Sequence, residues 1–256
     1  LCRALEKLSL NHQEFLRYSR QMMVEDMGEE AQLRLKASTA VIVGLGGLGC
    51  PASLYLTASG IGKLILIDGD EIELSNLQRQ ILFRESDIGA AKAKVAAKRL
   101  SKLNPNVEFE VHLEQVGRQD LVGLVDDAKV ILDCTDNIAT RQEINRAAVA
   151  FHKPLLSAAA LGWEGQLLEA RMDIEGSACL ACAYGLENEE PLLNCSTAGV
   201  MGPILGVMAS MQAMRAIRIV AGIDGAKSSR LARFDGKRVE LSNFDLKSRG
   251  DCPVCS

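Results

Sequence analysis

The feature that most constrains this chain is Ala40-Val41-Ile42-Val43 running straight into Gly44-Leu45-Gly46-Gly47-Leu48-Gly49. A short uninterrupted apolar run reads as a strand buried on both faces, and glycines directly after it permit a tight turn into a helix. The alternation then recurs. Leu64 to Ile67 is an apolar run ending at Asp68, Val107 to Val111 and Val130 to Leu132 are two more, and Ala52 to Ser59, Gly89 to Leu103 and Thr140 to Phe151 carry helical spacing. Strands joined through helices are joined by crossovers, and crossovers build a parallel sheet covered on both sides. Residues 14–150 therefore read as a doubly wound α/β half, entered through helix that runs from Glu14 to Leu35.

After Pro154 the pattern changes. Leu156 to Ala160 and Gln166 to Met172 look like strands joined by a turn at Gly162 to Gly165, and Asp235-Gly236 sits between two strand-like runs within Leu231 to Phe244. Residues 151–256 read as a mixed half in which antiparallel strands extend the sheet beside one long helix. An irregular loop is expected at about 184–197. With 48% hydrophobic residues and no repeat or low-complexity stretch, the 256 residues are read as one domain.

A net charge of -4 excludes recognition of nucleic acid or an anionic membrane through bulk positive charge. Ser196 to Met214 lacks any charge, but Pro203, Ser210, Gln212 and three glycines interrupt it, so it is read as a helix buried in the core or at a homodimer contact rather than as a membrane span. The first residues lack the unbroken apolar core of an export signal, which points to the cytoplasm.

The glycine-rich turn is expected to bind a nucleotide: its backbone admits a phosphate closely, and the helix it opens attracts negative charge. Asp68, 19 residues past Gly49, stands where a carboxylate accepts hydrogen bonds from ribose hydroxyls. These two features alone suit a nicotinamide or flavin oxidoreductase. Hydride transfer has no need of the cations that follow, however. Arg79 within Ser75-Asn76-Leu77-Gln78-Arg79-Gln80, together with Lys92, suits the neutralisation of charge spreading over phosphate oxygens. Asp136 beside Asn137 suits a magnesium ion bridging those phosphates.

Four of the eight cysteines form two C-x-x-C pairs, Cys179/Cys182 and Cys252/Cys255, separated by 69 residues. Two such knuckles from distant segments close one tetrahedral Cys₄ zinc site of the structural kind. The rival, a redox dithiol, wants a pair that opens a helix beside a βαβ strand, and neither pair reads so. Cys195 follows an acidic loop and precedes an apolar helix, a setting that lowers a thiol pKa. Cys50 and Cys134 read as small buried hydrophobes, and Cys2 is assigned nothing. His12, His112, His152 and Trp163 read as surface or packing residues. Met201, Met208, Met211 and Met214, on one helix, read as core or interface.

In order along the chain, Arg17-Tyr18-Ser19-Arg20-Gln21, Gly44 to Gly49, Leu74 to Phe83 (LSNLQRQILF), Asp133 to Asn137 (DCTDN), Asn194 to Val200 (NCSTAGV) and Cys252-Pro253-Val254-Cys255 resemble the ThiF, MoeB and HesA family of carrier-protein adenylyltransferases. The resemblance spans Glu14 to the C-terminus. It implies a Rossmann-like fold, ATP with Mg²⁺, a structural zinc, and attack by the C-terminal glycine carboxylate of a ubiquitin-like sulfur carrier on the α-phosphorus of ATP. The nucleotide set is Gly44, Gly46, Gly47, Gly49, Asp68, Asp70, Ser75, Asn76, Arg79, Gln80, Lys92, Asp136 and Asn137. The catalytic set is Arg20, Arg79, Lys92, Asp136 and Cys195. Arg20 matches an arginine that reaches the phosphates of the neighbouring subunit's nucleotide, which makes a homodimer functional. Cys195 matches a loop cysteine that the ThiF branch is thought to join to its carrier as an acyl disulfide.

The local words read more like the ThiF branch, which serves thiamine thiazole, than the MoeB branch, which serves molybdopterin; HesA-like proteins with other carriers come third. The chain stops just after the last knuckle, so a separate sulfur donor in place of a fused rhodanese domain is expected. A Rossmann-fold NAD(P) or FAD oxidoreductase is the alternative of another class. A carrier-binding subunit that has lost catalysis is a third, disfavoured by the presence of Arg20, Arg79, Lys92 and Asp136.

Overall fold

The computed structural model describes residues 9–114, 118–185 and 199–256. Cys2, Cys195 and all but the first two residues of the expected 184–197 loop lie outside them.

Five strands run parallel: β1 (Thr39–Val43), β2 (Lys63–Ile67), β3 (Glu108–His112), β4 (Ala128–Asp133) and β5 (Pro154–Leu161). Three antiparallel strands, β6 (Glu164–Arg171), β7 (Ser229–Asp235) and β8 (Glu240–Leu246), continue the same sheet in the order β3-β2-β1-β4-β5-β6-β7-β8. The mainly parallel sheet with an antiparallel extension is the expected one.

The lack of polar alternation in β1 and β2 has a direct cause. Ala40, Ile42, Leu64 and Leu66 face one core cluster and Val41, Val43, Ile65 and Ile67 the other, so both faces of each strand are covered. Each fully buried Leu or Ile contributes about 1.5–3 kcal/mol by removal from water. The first face packs α2 (Gly28–Lys36), α3 (Gly49–Ser59), α4 (Lys92–Leu103) and α8 (Gly202–Ala221). The second packs α5 (Arg118–Val125), α6 (Ile138–Ala150) and the short α7 (Leu180–Tyr184).

The N-terminal helix is two helices, not one. α1 (His12–Met22) ends before Asp26 and Gly28, both at positive φ, and α2 starts afresh at Gly28. Helical periodicity survives such a break because both segments pack on the same body. α1 starts with a capping box: Asn11 Oδ1 accepts from the Glu14 N–H and Glu14 Oε2 from the Asn11 N–H, each at 2.9 Å. Its Tyr18 hydroxyl accepts from Asn104 Nδ2 at 2.8 Å, and the ring lies so close to Gly60 that a Cβ there would sit 2.4 Å from it.

Other boundaries move for local reasons. α3 begins at Gly49, three residues earlier than expected, because Pro51 is tolerated in a first turn. α4 begins at Lys92 rather than Gly89, whose φ is +82°. α5 was not anticipated. The β5–β6 turn is only Gly162-Trp163, since Leu161 pairs with Glu164.

From Gly202 on, the charge-free run becomes α8, the one described helix long and apolar enough to cross a membrane. Here it packs on the sheet through Ile204, Leu205, Met208, Ala209, Ala213 and Ala216. Gln212, fully buried, explains its own place in that helix: its Nε2 donates to the carbonyls of Asp133 at 3.0 Å and Leu156 at 2.8 Å. Its Oε1 accepts from Cys134 Sγ at 3.2 Å.

Candidate active site

A cleft of about 760 Å³ opens at the carboxyl ends of β1, β2 and β4. This is where the strand order reverses, with β2 and β3 on one side of β1 and β4 on the other, the crevice in which open α/β sheets bind ligands.

The glycine turn forms its floor. Gly44 has φ +89° and its absent Cβ would lie 2.8 Å from the Cys134 carbonyl oxygen; a Cβ on Gly49 would lie 1.9 Å from the Gly44 carbonyl oxygen. These two glycines let the β1 turn, the start of α3 and the end of β4 close on one another. Gly46 and Gly47 line the cleft itself, with Gly47 under Leu205 of α8. Gly49 and Ser75 are not among the lining residues; the Ser75 hydroxyl donates to Glu73 at 3.1 Å.

Asp68 closes the turn from the β2 side. Its Oδ2 accepts from the Leu45 N–H at 2.6 Å and its Oδ1 from the Asp70 N–H at 2.9 Å. Burial raises its carboxyl above the usual carboxylate range, opposed by the Leu45 N–H and by Lys92. Asn76 is held by its neighbours, its Oδ1 accepting from the Glu73 N–H at 3.2 Å. Gln80 is 3% exposed, and its Oε1 has no partner among the described residues while its Nε2 approaches the Gly46 position: an acceptor set in the lining of the cleft.

The cations converge here. The Lys92 ammonium, 2.8 Å from Asp70 Oδ2, begins α4. The Arg79 guanidinium is steadied by the Ser75 carbonyl at 3.0 Å and pairs with no carboxylate among the described residues. Asp136 is exposed on the lining of the same cleft, while Asn137 caps α6 by accepting from the Thr140 N–H at 3.2 Å. A carboxylate that pairs with no cation among the described residues, lining the same cleft as Lys92 and Arg79, suits Mg²⁺, which takes one or two carboxylates plus phosphate oxygens.

Arg20 is not brought to this cleft. It lies exposed on α1. Conversely, Arg141, Arg233, Glu164 and Gln166 line the cleft and were not singled out in the sequence. Arg141 was detectable, four residues past Asn137 on a helix. Its Nη2 donates to the Ala158 carbonyl at 2.7 Å and also to the Thr135 carbonyl, and its Nε stands 3.6 Å from the buried Asp133 carboxylate. The others come from β6 and β7, and only sheet topology delivers them.

On the other face of the sheet, the sulfurs of Cys179, Cys182, Cys252 and Cys255 all lie within 4.8 Å of one another. The Cys179–Cys252 and Cys182–Cys255 separations are 3.7 and 3.4 Å, against about 3.8 Å for a tetrahedron with Zn–S near 2.3 Å. The donor set fits zinc. Burial would raise the Cys252 thiol, but the N–H groups of Val254 and Cys255 and the adjacent thiols outweigh it and bring it to about 7. Cys179 is the N-cap of the short α7, but α7 follows the antiparallel β6 and not a βαβ strand, in line with the sequence reading. The two pairs face each other as one four-sulfur cluster, which a redox dithiol does not need. Cys50 and Cys134 are buried as expected, and burial pushes the Cys50 thiol up to about 12.

The model of the ThiF family matches residues 18–254. The chain is 44% identical to the sulfur carrier protein ThiS adenylyltransferase of Escherichia coli (strain K12), over 96% of this chain and 97% of that one. It is 39% identical to the adenylyltransferase and sulfurtransferase MOCS3 of Anopheles gambiae over 96% of its own length, but spans only 56% of that relative. Among solved structures, E. coli MccB with ATP superposes with a TM-score of 0.81 at 23% identity, covering 100% of this chain and 85% of that one. PaaA superposes with a TM-score of 0.78 at 26% identity, covering 94% and 76%. These likenesses carry the fold; the family match and the 44% identity carry more, and they set the oxidoreductase reading aside. The chain belongs to the ThiF family and is a nucleotidyltransferase.

Proposed function

We propose that this enzyme adenylylates the C-terminal glycine carboxylate of a ubiquitin-like sulfur carrier with ATP, and that the carrier is of the ThiS type, serving thiamine thiazole formation. The observation that carries the reading is the convergence of Lys92, Arg79 and Asp136 around a glycine turn backed by Asp68, a site built for phosphate charge. The identity to the ThiS adenylyltransferase supports the choice of carrier.

A carrier carboxylate oxygen attacks the α-phosphorus, a new acyl–phosphate bond forms, and the bond to the β-phosphate breaks with its electrons leaving on pyrophosphate. No side-chain nucleophile is required. Gly46 and Gly47 let the phosphates approach the backbone, and Asp68 receives the ribose hydroxyls. Lys92 and Arg79 offset the charge that builds on the phosphoryl oxygens, the kind of preorganised stabilisation whose loss costs about 10²–10³ in rate. Mg²⁺ held at Asp136 would neutralise further phosphate charge. Arg20 acts from a second copy of the chain. It is exposed on α1, as is Leu16, and the exposed Met23 and Val24 follow directly after the helix, apolar side chains that a homodimer contact would cover. The four cysteines hold a structural zinc. Cys195 is reserved for a later covalent step with the carrier, sulfur coming from a separate donor. The free thiols suit a cytoplasmic enzyme.

The second reading is adenylylation of a MoaD-type carrier, favoured by the identity to MOCS3. ATP–pyrophosphate exchange with Mg²⁺ and each carrier type tests both. Exchange that needs the carrier's terminal glycine and prefers the ThiS type is expected. Preference for the MoaD type transfers the assignment, and exchange with neither carrier overturns both.

A further inference from the structure

We propose that Asn145 is a positioning residue that couples the four-cysteine site to the nucleotide cleft along α6; the inference rests on the nucleotide reading above. Asn137, Arg141 and Asn145 recur at four-residue spacing and therefore lie along one side of the helix. The first two work at the cleft. Asn137 caps the helix, and Arg141 fastens the Thr135 and Ala158 carbonyls, which fixes the turn carrying Asp136.

Asn145, one turn further on, faces the cysteines. It is 1% exposed and uses both ends of its amide there. Its Oδ1 accepts from the Leu180 N–H at 2.9 Å, within the first turn of α7. Its Nδ2 donates to Cys179 Sγ at 3.6 Å. A thiolate bound to a metal is an acceptor, so this amide orients the ligand as outer-shell donors do in metal sites. Ile144 and Ala148 of α6 share a buried cluster with Leu180, Ala181, Cys179 and Cys252, so the helix and the cysteine site are packed as one body. Arg141 then sits between two anchors: the cysteines hold α6 at its middle, and α6 holds the Asp136 turn at its start. Zinc bound at the cysteines would favour one setting of that turn.

The test compares wild type with Asn145→Asp and Asn145→Leu. The first keeps an oxygen for the Leu180 N–H while setting a carboxylate against the thiolate; the second removes both bonds. The exposed Arg146→Ala is the control on the same helix. Two readouts are taken on the purified zinc-loaded protein: the rate of zinc release to a chromophoric chelator, and the ATP dissociation constant with Mg²⁺ by calorimetry, without carrier. We expect Asn145→Asp to release zinc about tenfold or more faster and to bind ATP about fivefold or more weakly. Wild type stripped of zinc should show the same loss of ATP affinity, and stripping the variant should add little to its defect. Arg146→Ala should match wild type in both readouts.

Faster zinc release with unchanged ATP affinity, unchanged zinc release, or a wild type that binds no zinc overturns the coupling while leaving the nucleotide reading intact. A wild type that binds zinc but no ATP overturns the nucleotide reading and the coupling with it.

Discussion

Lys92 places its ammonium 2.8 Å from Asp70 with only 8% of its side chain exposed, while Asp70 is 58% exposed. The pair is lopsided: the cation is held in the wall of the cleft and the anion is left at the surface. A buried charge with one partner is costly, and removing that partner is more costly still. Asp70 is thus a placeholder partner for the Lys92 ammonium until phosphate arrives.

Replacing Lys92 by Gln should lower pyrophosphate exchange about 10²–10³-fold, the usual loss for one preorganised charge donor. Thermal stability should change little, because the group removed was itself expensive to bury. Asp70→Asn should do the reverse, with melting temperature falling and pyrophosphate exchange changing far less than in Lys92→Gln. Exchange rates and melting curves for the two variants check the asymmetry; equal stability losses in both would contradict it.

The glycines of the turn divide by what a methyl group would strike. A Cβ on Gly49 would meet the Gly44 carbonyl oxygen at 1.9 Å, a backbone atom with nowhere to go, whereas one on Gly206 meets nothing within 4 Å. Gly49→Ala should destabilise the fold by about 1–3 kcal/mol through overpacking. Gly206→Ala, inside α8, should stabilise it by about 0.5–1 kcal/mol. Denaturant titration of both separates the turn's requirement from the glycine content of α8.

Legibility in the sequence followed the range of the interactions. The strands of the parallel half were readable because burial on both faces leaves an unbroken apolar run, as Val41 and Ile42 demonstrate by facing opposite clusters. Cleft residues near a strand's end, such as Asp68 and Asp136, were readable because chain order and the crossover rule bring strand ends together. Arg233 and Glu164 were not, since they reach the cleft only through antiparallel pairing of β6 with β7, a register that no local pattern encodes. The break between α1 and α2 was hidden for the opposite reason. Asp26 adopts a positive φ that only Gly28, two residues on, hints at. The convergence of two C-x-x-C pairs was legible from spacing alone, but Asn145 behind them was not, because a polar residue within a helix looks the same whether it faces water or a thiol.

Glu14 and Lys36 form one tie between α1 and α2, 2.8 Å apart with the carboxylate 3% exposed. Burial would raise the Glu14 carboxyl, but the hydrogen bonds from Lys36 and from the Asn11 N–H prevail and hold it below its usual 4.5. A lowered carboxyl contributes stability above the unfolded value and loses it as pH falls through the folded one. Glu14→Gln should therefore cost about 1 kcal/mol at neutral pH, and the gap to wild type should close as pH is taken below 4.5. A gap that widens in acid would show the sign to be wrong.

Arg20 supplies the most discriminating test of the proposed homodimer, because it lies outside the cleft of its own chain while Lys92 lines it. If Arg20 serves a neighbouring copy, Arg20→Ala and Lys92→Gln damage different sites of a mixed dimer. The site with an intact Lys92 belongs to the Arg20→Ala chain and receives Arg20 from the other. The remaining site lacks both. Subunits mixed in equal amounts and allowed to exchange give mixed dimers as half of the population, each with one working site of two. Activity should recover to about a quarter of wild type although each variant alone is nearly inactive, as a two-fold symmetric assembly requires. If Arg20 instead folds back on its own cleft, no mixed dimer contains a complete site and mixing restores nothing.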